Sequence, residues 1–319
     1  MPANALLEKG YRPAFSGHET FPPRYGWLKK GFDAVHTAPD AKRAKAIFSD
    51  ESAIARFGVG KNMVTSIRHW CELAGVIMAT DSGDGLAPTR FGNAIFADDG
   101  LDPFMEEDAT IWLLHANIAL NVRATAWHWM FNHFDQAMFS RADLVGELQR
   151  LGVSQGWQRL SETTIRRDVE CLVRTYAGGR GAAWGAHEET ADSPLAELGL
   201  LRPIGGRDRF QLVRGPKPTL PESVLAWVLW RYFDDRGAAQ TASVESLAYE
   251  AGSPGRIFAL DEQDLTQRLS VIEAETAGAF RWSETAGLRQ VVKVKSLTEA
   301  QAFKLATRGI RTAKRGQAA

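Results

Sequence analysis

Between positions 41 and 89 apolar residues recur at helical spacing and then give way to a short alternating stretch. Residues 41–48 and 52–57 predict two short amphipathic helices, the second ending at Gly58. Lys61–Leu73 predicts a third, with Met63, Ile67, Trp70 and Cys71 on one face and Gly75 placed to stop it. Residues 76–80 and 86–89 flank Asp81-Ser82-Gly83-Asp84-Gly85, a hairpin pattern with Asp84-Gly85 at its tip. Three helices and a hairpin, with Gly58-Val59-Gly60 between the second and third helices, predict a winged helix.

The pattern repeats more loosely downstream. Residues 142–151 and 162–176 predict helices, the latter capped by Ser161, and 198–204 and 210–213 predict strands around a Gly-rich turn. Residues 178–185 read as a glycine-rich surface loop. Between the two modules, residues 104–133 predict one or two long helices rich in tryptophan and phenylalanine. After the stiff segment Gly215-Pro216-Lys217-Pro218 the chain reads as helical, with one strand-like stretch at 288–294 and a basic tail at 304–315. The expected fold is thus mainly α with small β-hairpin wings. It comprises an irregular segment (1–40) packed on a winged helix (41–100), a tryptophan-rich connector (101–140), a second winged-helix-like module (141–215) and a helical C-terminal domain (216–319).

Composition narrows the function classes. Lys plus Arg equals Asp plus Glu at 38 each, so any nucleic-acid contact must use local basic faces. Two cysteines in helical patterns point to buried thiols in a reducing cytoplasm. The most apolar segments are too short to span a bilayer, and no membrane partner is expected.

The third helix supplies the clearest chemistry. Lys61, Asn62, Thr65, Ser66 and Arg68 fall off its apolar face. Lys and Arg neutralise phosphates, and Asn and Arg can also read adenine and guanine edges. These five residues are candidate contacts to double-stranded DNA, with a solvated polar face as the plainer alternative. Arg166 and Arg167 form a weaker second pair, offset by Asp168 and Glu170 beside them. Gly58-Val59-Gly60-Lys61 lacks the spacing of a P-loop, and no nucleotide or organic cofactor is expected. His115, His128 and His133 do not share one helix face and lack a completing carboxylate pair. No serine or cysteine nucleophile motif is present.

The segment 16–30, Ser-Gly-His-Glu-Thr-Phe-Pro-Pro-Arg-Tyr-Gly-Trp-Leu-Lys-Lys, is chemically dense for an irregular stretch. His18 and Glu19 carry the donors to bind a divalent metal, magnesium or manganese, or to move protons. Arg24, Lys29 and Lys30 could hold a phosphate backbone. Against that catalytic reading stands a clamp, with the aromatics packed on the first module and His18 and Glu19 bonded locally. The tryptophans of the middle segment offer a candidate homodimer surface.

Residues 16–31, 58–70 and Thr110-Ile111-Trp112-Leu113-Leu114-His115 resemble a bacterial family of SspB type, long catalogued as a domain of unknown function. Arg167-Asp168-Val169, Thr175-Tyr176, residues 193–200 and Ser253-Pro254-Gly255-Arg256 extend the resemblance over most of the chain. It implies a DNA-nicking component of a phosphorothioate-modification system. The implied partners are a cysteine desulfurase, an ATP-pyrophosphatase-type sulfur-transfer enzyme and an ATPase. The alternative is a non-enzymatic DNA-binding regulator or assembly scaffold.

Overall fold

The computed structural model describes residues 4–158, 160–177, 193–205 and 208–310. The glycine-rich stretch at 178–185 and the end of the basic tail lie outside them.

Helices α2 (Ala41–Ala46), α3 (Ala53–Phe57) and α4 (Lys61–Leu73) form where the apolar spacing places them, and strands β1 (Ile77–Ala79) and β2 (Leu86–Pro88) pair antiparallel. One expectation needs correction. The segment before Ala41 is not wholly irregular, because Trp27–His36 is helix α1. Pro22 and Pro23 stop short of it, and Gly26 in the left-handed region turns the chain into it. Trp27, Leu28, Phe32 and Val35 then share an apolar stripe that packs on α4. Helix α5 (Arg90–Phe96), capped by the Thr89 side chain, closes this unit.

Helix α6 (Asp108–Leu120) is apolar on every side and buried along nearly its whole length. It packs against α7 (Thr125–Asn132) and the 3-10 turn Pro194–Leu198. It also meets two C-terminal helices, α10 (Glu222–Asp235) and α12 (Pro254–Ile257). Asn117 and Asn121 donate from it to the carbonyls of Ala74 (3.0 Å) and Leu73 (3.1 Å) at the end of α4. Trp112, Trp127 and Trp129 are interior residues here. The tryptophan-rich middle is therefore core, and it does not present these rings as a dimer surface.

Two further units share one topology. In the first, β3 (Met138–Phe139) leads into α8 (Arg141–Ser154) and α9 (Glu162–Ala177), then β4 (Leu201–Pro203) and β5 (Phe210–Leu212), with sheet order β3-β5-β4. In the second, β6 (Thr241–Ser243) is followed by α11 (Val244–Tyr249), α12, α13 (Glu262–Ser270) and α14 (Ile272–Glu275). Strands β7 (Phe280–Thr285) and β8 (Leu288–Lys293) complete it, with order β6-β8-β7. Helix α15 (Glu299–Ala306) packs back on α10. The C-terminal region, expected to be helical, thus carries a three-stranded sheet. Its hairpin turns through Ala286 and Gly287, both at positive φ, in a two-residue loop closed by Thr285 and Leu288.

Candidate nucleic-acid interface

Gly58 takes a left-handed conformation after α3, and Gly60 enters α4 extended, with no side chain capping the helix. The first N–H groups of α4 therefore face outward without a protein acceptor on the cap, a favourable position for an anion. Lys61, Asn62 and Thr65 are exposed around this end. Lys30 reaches the same turn from α1, donating its Nζ to the Phe57 carbonyl at 3.1 Å. Two cations, an amide and a hydroxyl are thus gathered on one side of α4.

The other residues expected on that face sit differently. Ser66 points inward, fully buried, with its Oγ directed at the Phe21 carbonyl. It lies one helical step toward the side that holds Ile67 and Trp70, and it cannot contact a duplex. Arg68 is half-buried and donates to Glu72 at 2.8 Å, which Arg123 also approaches. Lys29 is held between Asp33 (2.5 Å) and Asp98 (3.3 Å). Arg24 lies 5.5 Å from the Trp27 ring centroid, and its buried Nε and Nη2 have no hydrogen-bond partner. On α9, Arg166 is exposed and paired to Glu162 at 2.6 Å, while Arg167 is exposed beside it. Asp168, expected to offset these arginines, is turned into the interior.

That inward turn explains residues 11–21. This segment is a strap laid across α4, α7 and α9. Tyr11 Oη bonds to the Val122 carbonyl (2.6 Å) and meets Thr125 Oγ1 (2.7 Å), which also accepts from the Ala14 amide. The Ser16 amide donates to Asp168 Oδ1 at 2.7 Å, and His18 Nε2 meets the same oxygen at 3.0 Å. Trp70 Nε1 donates to the Phe21 carbonyl at 2.9 Å, and Arg174 donates to that of Thr20 at 3.1 Å. The backbone is strained to follow this path. Ser16, Glu19 and Thr20 all adopt positive φ, a conformation that non-glycine residues avoid. Gly17 is required: a Cβ there would lie 2.5 Å from the His69 ring.

His18 is 1% exposed, with both ring nitrogens engaged: Nε2 by Asp168 and Nδ1 by the Thr20 amide. Burial opposes charge on this ring, while the Asp168 carboxylate favours it. The Thr20 N–H decides between them: an Nδ1 that accepts from it carries no proton, so the ring is the neutral tautomer with Nε2–H donating to Asp168. The neighbouring His69 is pushed down to about 3, by burial first. Glu19 points away into solvent. The structure thus separates the two residues proposed as a catalytic pair, and His18 occupies the clamp position. His115 is likewise internal, between the Tyr176 hydroxyl (2.9 Å) and the Ile257 carbonyl (2.8 Å), and burial lowers its pKa to about 4. Among the described residues no group of three or more His, Cys, Asp or Glu side chains could hold a metal ion. No helix among them is long and apolar enough to cross a membrane. The Asp168 partnership was missed from sequence, since only the distance in space joins it to the strap.

The family described as "Protein of unknown function (DUF4007)" matches residues 15–307. None of the curated proteins matches the sequence. Two solved structures share the fold. One, described as a magnesium ion-bound SspB crystal structure, superposes with a TM-score of 0.81 at 26% identity, covering 95% of this chain and 90% of its own. The other, an SspB crystal structure, gives 0.81 at 25% identity, covering 98% and 92%.

Proposed function

Because the chain belongs to the DUF4007 family and is of SspB type, we propose that it is the DNA-contacting component of a bacterial phosphorothioate-modification system, in which it nicks one strand. The observation that carries the DNA contact is the uncapped start of α4 with Lys30, Lys61, Asn62 and Thr65 around it. On this reading the three hairpin-bearing units are winged helices. The last long helix before each hairpin differs in charge: α4 and α9 present cations, whereas α13, followed only by the single turn α14, begins with Glu262 and Asp264 and turns its Arg268 inward. DNA contact therefore falls to the first two units. The partners are double-stranded DNA and the sulfur-transfer enzyme, cysteine desulfurase and ATPase of the same system.

Nicking is assigned to the strap, with Glu19 as its exposed carboxylate and His18 as the residue that fixes the strap on Asp168. The magnesium of the related structure belongs to that protein. Among the described residues of this chain no three or more His, Cys, Asp or Glu side chains are grouped to hold a metal. The test is incubation with supercoiled plasmid, with and without magnesium or manganese. Conversion to open circles, abolished by Glu19→Gln with DNA affinity intact, is the expected result, and the two metal conditions show whether an ion held jointly with the DNA is needed. Unchanged nicking by that variant removes Glu19 from the mechanism.

The burial of His18 favours a second reading: a non-enzymatic scaffold that positions a nuclease of the system. In that case plasmid remains supercoiled while gel shifts remain salt-sensitive.

A further inference from the structure

A groove on the described surface lies away from α4, between the start of the strap and the α8–α9 turn. Its volume is about 770 Å³, within the range of roughly 300–1,000 Å³ typical of small-ligand sites. Tyr11 and Phe15 form one wall as half-buried rings, and Trp157 lies beneath them with ring centroids 5.5 and 6.4 Å away. The wall is preformed, because the Tyr11 hydroxyl is already bonded to α7 and its N-terminal approach.

Two features describe the ligand. Aromatic faces in a confined groove suit a flat ring, which gains roughly 1–3 kcal/mol per base by stacking. Among the described residues the lining includes Arg12, Gln158 and Thr164 and no carboxylate, so an anion meets the exposed Arg12 without an opposing charge there.

We propose that this groove takes one unstacked nucleotide of a single strand, the base against Tyr11 and Phe15 and the phosphate toward Arg12. A base still paired and stacked within a duplex has no free face to lay on these rings. The site rests on the reading of this chain as a DNA-contacting protein, and it adds where an opened strand would be held while its backbone is modified.

The experiment uses the full chain and two probes, a short oligothymidylate and a duplex, each titrated by fluorescence anisotropy. Arg12→Ala and Phe15→Ala should each weaken oligothymidylate binding by roughly tenfold or more while leaving duplex affinity unchanged. Lys61→Ala should do the reverse. Arg12 is exposed, so its variant reports on the groove even if Phe15→Ala fails to fold. A bromouracil-substituted strand should crosslink to Tyr11, Phe15 or Trp157. Equal oligothymidylate affinity of parent and Arg12→Ala, or crosslinks confined to α4, overturns the groove assignment and leaves the α4 interface standing. Loss of duplex binding in the parent, with groove-dependent single-strand binding retained, overturns the α4 interface alone. Groove variants that lose a protein partner but keep single-strand affinity overturn the nucleotide assignment in favour of protein docking.

Discussion

His18 and Asp168 lie 150 positions apart and meet at 3.0 Å, both almost wholly buried, joining the strap to α9. Removing one partner of such a pair leaves the other in a medium that solvates it poorly. Asp168→Asn should therefore cost about 1.5–3 kcal/mol of stability, since the Ser16 and His18 N–H groups both lose a charged acceptor. The His18 Nδ1 accepts from the Thr20 amide, so the ring is held as the neutral Nε2–H tautomer. Urea unfolding of parent and variant should show a gap that stays constant from about pH 7 to about pH 9. A gap that narrows as pH rises would mean that His18 carries a second proton in the fold.

On α4 two positions should behave oppositely. Lys61→Ala should weaken duplex binding across all sequences and lower the salt slope by about one. Ser66→Ala, one turn further along and buried, should leave affinity unchanged and shift only stability. Gel shifts over a salt series check both. Equal affinities of parent and Lys61→Ala would remove α4 from the interface.

The third unit should be silent toward DNA. Gln263 and Gln267 are exposed on α13, among Glu262 and Asp264. Replacing both glutamines by alanine should leave duplex affinity within about twofold, since an acidic first turn repels phosphate. A larger loss would place α13 on the DNA.

The β7–β8 turn offers a gain of stability. Ala286 is exposed at φ 51°, where a Cβ costs about 1–2 kcal/mol relative to glycine. Ala286→Asn or Ala286→Gly should raise the melting temperature, by about 1 kcal/mol of stability. A lower melting temperature in both variants would mean that the turn relies on the alanine.

Much of the first unit was legible because local signals agree there: apolar spacing in α4, glycines at both ends, and an aspartate–glycine tip in the hairpin. Helix α1 was obscured by the prolines just before it, although Trp27, Leu28, Phe32 and Val35 carry the period. Strand β3 has two residues and no pattern of its own, so its pairing with β5 is visible only in three dimensions. Strand β7 was hidden because its turn, Ala286-Gly287, lacks the usual asparagine or aspartate. At the site, periodicity identified Lys61, Asn62 and Thr65 as outward, but Ser66 stands at the boundary of the apolar stripe and the strap covers it. The chemical density of residues 16–30 was apparent, yet not that its histidine would be spent on a carboxylate from α9.

Helix α6 has a consequence for how this protein could be divided. It meets the end of α4 through two asparagines, and it packs on α7, α10 and α12 along its length. None of the three hairpin-bearing units therefore owns a complete interior: each borrows a wall from the same helix. Cutting the chain on either side of α6 would strip an apolar face from what remains. The recurrence of one sheet topology, which invites treatment as beads on a string, describes likeness of form more than independence of parts. Such a protein is expected to fold and melt as one unit.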